Sequence, residues 1–216
     1  MQPIEVKHEH IFFKNHELTL EGVLSYRKNR DCLSSGVVIC HPHPLYGGDM
    51  NNNVVLGIKG VLEKESFAVF RFNFRGVNFS EGKYDQGRGE VDDTIAAVNY
   101  LKSKIENISQ LFLAGYSFGA WIALVAASKI KNLTAIALIA PPLGLYDFNS
   151  FFEKINLPIL IVAGDIDSIC NLKEMETILE AFPLIRKKFL SGADHFFSGR
   201  EQEISREVKN FFEEHL

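Results

Sequence analysis

One serine has neighbours that suggest chemistry. Ser117 sits between two glycines in LFLAGYSFGAW, residues 111–121. A hydroxyl held out on a tight turn can attack an acyl carbonyl if a base takes its proton, an acid orients the base and N–H donors hold the oxyanion. The bare G-x-S-x-G pattern proves little, and its setting carries the weight. The apolar run Leu111–Gly115 precedes Ser117 and the apolar helical stretch Phe118–Ile130 follows it, which places the serine on a strand-to-helix turn. There the backbone is strained and the hydroxyl exposed, and a side chain at Gly115 or Gly119 would clash with the closing strand and helix. The helix N-terminus adds free N–H groups beside the hydroxyl. A serine that only capped the helix would not require both glycines.

In sheets built around such a turn the chain order is serine, then acid, then histidine. Two histidines follow Ser117. His195, in SGADHFFSG, leaves the last apolar run, whereas His215 is the penultimate residue of a charged helix. His195 is therefore the candidate base. For the acid, ILIVAGDIDSIC offers Asp165 and Asp167. Asp165 follows the strand directly and can cap the turn through its own side chain. Asp167 stands further out, where the loop can bend towards His195, and is favoured, with Asp165 kept as the alternative. Asp194 reads as a turn residue beside the base, and Asp147 is a remote third choice.

The oxyanion donors follow by elimination. One is the backbone N–H after the nucleophile, that of Phe118. The other should come from the loop HPHPLYGG, where Pro42 and Pro44 have no N–H and His43 alone between them can donate. The same loop invites a metal reading, His41 and His43 as H-x-H with Asp49, Asp167 or His195 recruited. A zinc site normally draws further ligands at close spacing, and none follow before Asp49, so no metal and no cofactor are expected. His41 reads instead as a strand-end residue bonding neighbouring loops.

These residues need a frame. Segments 4–14 and 17–26 alternate apolar and polar residues around Asn15 and His16, which predicts an antiparallel hairpin with Glu17, Thr19 and Glu21 on a wet face. Continuous apolar runs then recur at Val37–Cys40, Phe67–Phe74, Leu111–Gly115, Thr134–Ala140, Ile159–Ala163 and Lys187–Leu190, the mark of parallel strands buried on both faces. Helical segments lie between them at about 51–65, 90–105, 118–130, 171–182 and 199–214. The alternation implies an α/β sandwich with right-handed crossovers and chemistry at the carboxyl ends of the strands.

With 216 residues, one domain over 1–216 is expected. A net charge of −4 and the lack of Lys/Arg-rich runs argue against nucleic acid or anionic lipid partners. Cys32, Cys40 and Cys170 are too scattered for a disulfide framework. With no signal sequence and no apolar run of ~18 residues, a cytoplasmic protein away from membranes is expected.

The segments ICHPHPLYGGDMNNNVV, FNFRGVNFSEGKYDQGRGEVDD, AGYSFGA, GDID and GADHFF, in this order, resemble the small bacterial α/β-hydrolases related to dienelactone hydrolases. The resemblance covers about residues 15–215. It implies a mostly parallel eight-stranded α/β-hydrolase sheet that starts with an antiparallel hairpin and carries helices on both faces. It also implies Ser117, Asp167 and His195 as a triad. True dienelactone hydrolases use cysteine as nucleophile, so the dienelactone reaction itself is not implied.

Only Pro141–Pro158 lies where larger relatives insert a lid, leaving room for a short helix around Phe148–Ile155 and no large cap. An open site favours small or surface-presented acyl esters and thioesters. Tyr46, Tyr116, Phe118 and Leu143 are candidates for its apolar lining. Arg75 either meets a substrate carboxylate or, as the favoured reading, pairs with Glu90 or Asp92 to hold its loop. A peptidase or amidase with the same triad, and a non-catalytic binding protein on the same fold, are the competing functions. The sequence leaves the oligomeric state open.

Overall fold

The apolar runs assemble into the middle of one eight-stranded sheet of order β1-β2-β4-β3-β5-β6-β7-β8. In the computed structural model, residues 5–28, 33–106, 108–170 and 172–216 are described. The strands are β1 Val6–Asn15, β2 Leu18–Arg27, β3 Ser35–Cys40, β4 Phe67–Phe72, β5 Gln110–Tyr116, β6 Ala135–Ile139, β7 Ile159–Gly164 and β8 Arg186–Leu190. β1 and β2 are antiparallel, β2 meets β4 antiparallel, and every pairing from β4 to β8 is parallel. The helices are α1 Asn53–Leu62, α2 Arg88–Lys104, α3 Phe118–Ala127, α4 Asn149–Phe152, α5 Leu172–Glu180 and α6 Glu201–Glu213. α1 packs with α6 and α2 with α3, so helices cover both faces of the sheet. This is the α/β-hydrolase fold without a large cap: α4 is the only helix between β6 and β7 among the described residues. Cys32, the first residue of the predicted 4–14 strand and the first of the 171–182 helix lie outside the described residues. No helix of the described residues is long and apolar enough to cross a membrane.

The hairpin does not have the wet face that alternation predicts on β2. Glu21 is buried, because β2 lies inside the sheet and the loop after β4 folds over it. Its carboxylate accepts from His10 Nε2 at 2.7 Å, Asn73 Nδ2 at 2.7 Å and the Phe79 N–H at 3.3 Å. A buried carboxylate is tolerable when it is saturated with donors in this way.

Arg75 is structural, and its partner is Asp93 rather than Glu90 or Asp92. Arg75 Nε and Nη2 donate to Asp93 at 3.0 and 2.8 Å, its own backbone N–H adds a third bond at 3.0 Å, and Asn15 Nδ2 donates at 2.7 Å. Glu90 is occupied at the start of α2, accepting from the Gly87 and Asp85 N–H groups at 2.7 and 2.8 Å. Removing one partner of a buried pair strands the other charge. Asp93→Ala is therefore expected to lower the unfolding free energy by about 3 kcal/mol in urea titrations. Asp92→Ala, at an exposed neighbour, should change it by about 0.5 kcal/mol or less.

Candidate active site

Ser117 joins β5 to α3 with φ 55° and ψ −119°, a backbone conformation that non-glycine residues rarely hold. Such a residue costs about 1–3 kcal/mol and persists only where its surroundings over-determine it. Here they do. A Cβ on Gly115 would stand 2.2 Å from the Gly119 carbonyl oxygen, and one on Gly119 would stand 2.4 Å from that of Cys40. The Ser117 N–H is tied to the Ile139 carbonyl at 2.8 Å. Its side chain makes no capping bond to α3, so the hydroxyl is left for other work.

That hydroxyl lies 3.0 Å from His195 Nε2, and His195 Nδ1 lies 2.7 Å from Asp167 Oδ2. The network assigns the tautomer. A carboxylate can only accept, so Nδ1 carries the proton and Nε2 is free to accept from Ser117. Asp167 Oδ1 accepts from the Ile169 and Cys170 N–H groups, each at 2.8 Å. Burial pushes the Asp167 carboxyl up, but the His195 hydrogen bond and these two backbone donors outweigh it and hold it below the usual carboxylate range.

The other acids are employed elsewhere. Asp165 Oδ1 accepts from the Gly192 N–H at 2.7 Å, Asp194 Oδ1 accepts from the Phe196 and Phe197 N–H groups, and exposed Asp147 accepts from the Ser150 N–H. Asp165 and Asp194 thus shape the loop that presents His195. Tyr116 braces the same loop, donating its hydroxyl to the His195 carbonyl at 2.8 Å. Tyr116, Phe118 and Leu143 are packed into the core and do not line an open site as predicted; Tyr46 stands in solvent at 87% exposure.

His43 leads the short turn Pro44–Tyr46, its Nδ1 accepting from the Leu45 N–H at 3.2 Å. Among the described residues neither the His43 nor the Phe118 backbone N–H has a protein acceptor. Both therefore remain available to an oxyanion beside Ser117.

His41 is fully enclosed. Its Nδ1 donates to the Pro42 carbonyl at 2.7 Å and its Nε2 accepts from the Phe74 N–H at 3.0 Å, so both ring nitrogens are used within the loops. Asp167, Cys170 and His195 offer ligand atoms within 4.8 Å of one another, but two of them are already paired and burial pushes the Cys170 thiol up, keeping it protonated. Cys170 beside the triad gave no sequence signal.

Burial holds the His41 pKa down to about 4, from an ordinary 6.5. Between those values the unfolded chain binds the proton and the folded one does not, so stability falls as pH drops through this window. Unfolding free energy should fall by about 2 kcal/mol from roughly pH 7 to pH 5 on this account, and a His41→Gln variant should lose that part of the slope in urea titrations.

A cavity of about 590 Å³ lies at the far end of the sheet, lined by Phe152, Ile155, Leu157, Phe182 and Leu184. It touches no residue of the Ser117 site.

Residues 37–213 match the family model described as an alpha/beta hydrolase domain. The chain is 35% identical to protein RP471 of Rickettsia prowazekii over 93% of this chain and 87% of that one. Among solved structures, an alpha-beta serine hydrolase homologue from Coxiella burnetii is 34% identical, with a TM-score of 0.84 over 94% of this chain and 96% of that one. A serine hydrolase without a lid from Xanthomonas campestris is 26% identical, with a TM-score of 0.86 over 96% of this chain and 94% of that one.

Proposed function

The chain belongs to the alpha/beta hydrolase domain family, and from that premise we propose that it is a serine hydrolase cleaving carboxylic ester or thioester bonds of small or exposed acyl substrates. The observation that carries this is the unbroken chain from Ser117 Oγ through His195 to Asp167, at 3.0 and 2.7 Å, headed by a strained serine that caps nothing. Likeness to a serine hydrolase homologue from Coxiella and a serine hydrolase from Xanthomonas supports it. Kinship with dienelactone hydrolases is proposed only for the mechanism, since the nucleophile here is Ser117.

His195 Nε2 takes the Ser117 proton as Oγ attacks the acyl carbonyl, and Asp167 stabilises the imidazolium that forms. The His43 and Phe118 N–H groups hold the oxyanion, aided by the positive end of α3. His195 then protonates the leaving group. Water, activated by the same imidazole, releases the acid from the acyl-enzyme. The partner is a small acyl compound, and no step calls for a metal or cofactor.

The absence of a lid between β6 and β7 favours short or surface-presented acyl groups over long chains that need an enclosing tunnel. Initial rates on matched acetyl ester, thioester and anilide substrates test the bond class. Ester or thioester turnover should exceed anilide turnover; the reverse order would make the protein an amidase.

A further inference from the structure

Three loops and the first turn of α3, far apart in sequence, bring aromatic rings together on one side of Ser117. The side chains of His43 and Phe118, whose N–H groups serve the oxyanion, lie 4.7 Å apart between ring centroids. Around this pair stand Tyr46 at 4.8 Å and Tyr84 at 4.9 Å from His43, with Trp121 and Tyr146 each 5.9 Å from Phe118. Trp121 and Tyr146 stack on each other at 4.5 Å and 17°. Tyr46 is exposed and His43, Tyr84, Trp121 and Tyr146 are partly exposed, whereas Phe118 behind them is buried, so only the outer side of the cluster meets solvent.

Its polar atoms are unspent. Among the described residues the hydroxyls of Tyr46, Tyr84 and Tyr146 have no hydrogen-bond partner in the protein, and the buried indole N–H of Trp121 has none either. Burial, then proximity to Tyr146, Glu90 and Tyr46, pushes the Tyr84 phenol up. Burial and proximity to Tyr46 do the same for Tyr146. Tyr46, Tyr84 and Tyr146 make no direct ring contact with one another, and each joins the cluster through His43 or Phe118.

We propose that Tyr46, Tyr84, Trp121 and Tyr146, with His43 among them and buried Phe118 packed behind, form a subsite for a phenolic ring carried by the ester substrate. Aromatic walls favour a flat ring in edge-to-face or offset contact, and unpaired hydroxyls favour a ring with a donor and acceptor of its own. The subsite adjoins the oxyanion donors, so a ring held there leaves its ester carbonyl beside Ser117. The assignment of that ester to Ser117 rests on the function proposed above; binding of the ring does not.

Trp121 is the sole tryptophan, so its emission reports from inside the subsite. The Ser117→Ala variant should be titrated with methyl para-hydroxyphenylacetate, which carries the ring on its acid side, and para-hydroxybenzyl acetate, which carries it on the alcohol side. Methyl cyclohexylacetate is the control of similar size. At least one phenolic ester should change Trp121 emission saturably and bind about tenfold tighter than the cyclohexyl ester, and which one does so tells which half of the substrate the subsite holds. Tyr146→Leu, and Tyr46→Ala at an exposed position that folding does not depend on, should each erase most of that preference. Equal affinity for the cyclohexyl ester, or no response of Trp121 to either phenolic ester, overturns the subsite. Because the readout is binding, it separates from turnover: a wild-type protein that binds phenols here yet hydrolyses no ester refutes the proposed activity and leaves the subsite standing.

Discussion

Ser117→Ala is expected to lower ester kcat by roughly 10⁵–10⁶-fold while leaving the protein folded. The loss is large because the Oγ is the attacking atom, and no other hydroxyl is shown against His195 Nε2 among the described residues. The companion variant Ser117→Gly separates catalysis from architecture. Glycine accepts φ 55° without strain, so the dead Ser117→Gly protein should be more stable than wild type by about 1 kcal/mol in urea. A glycine variant less stable than wild type would mean that the serine side chain holds the turn, and the strained-nucleophile account would lose its main support.

Asp167→Asn is expected to lower kcat by about 10³–10⁴-fold. Two backbone N–H groups, those of Ile169 and Cys170, converge on one oxygen of Asp167. An asparagine placed there keeps its oxygen on those donors and turns its NH₂ towards His195 Nδ1. The imidazole must then carry its proton on Nε2, where it can no longer accept one from Ser117. Asp165→Asn is the control. Its carbonyl oxygen can still accept from the Gly192 N–H, so turnover should stay within about twofold of wild type. If Asp165→Asn were dead and Asp167→Asn active, the acid would have been assigned to the wrong side of the turn.

Much of this site was legible in the sequence, for local reasons. The glycines around Ser117 and the proline-flanked His43 are features of a few consecutive residues. Asp167 over Asp165 followed from distance along a short loop. What was not legible depended on strands meeting out of chain order. Glu21 looked solvent-facing by alternation, yet β2 lies against β4 and the loop after β4 closes over it. Arg75 was expected on Glu90 or Asp92, but Glu90 was taken by the α2 N-terminus and the next turn offered Asp93. Tyr116, Phe118 and Leu143 group with Tyr46 by nearness to the site in sequence, although of the four only Tyr46 stands in solvent. The aromatic group of Tyr84, Trp121 and Tyr146 had no sequence signal. It forms only because β4, β3, β5 and β6 are neighbours in the sheet and deliver the segments that follow them, α3 among these, to one place.

The central claim is that Ser117 is an activated nucleophile. Its most direct test is the intact mass of the wild-type protein after exposure to a fluorophosphonate, beside Ser117→Ala. The account predicts one covalent adduct on the wild type, mapped to Ser117, and none on the variant. Folded wild-type protein that forms no adduct, or a variant that is labelled equally, would contradict it.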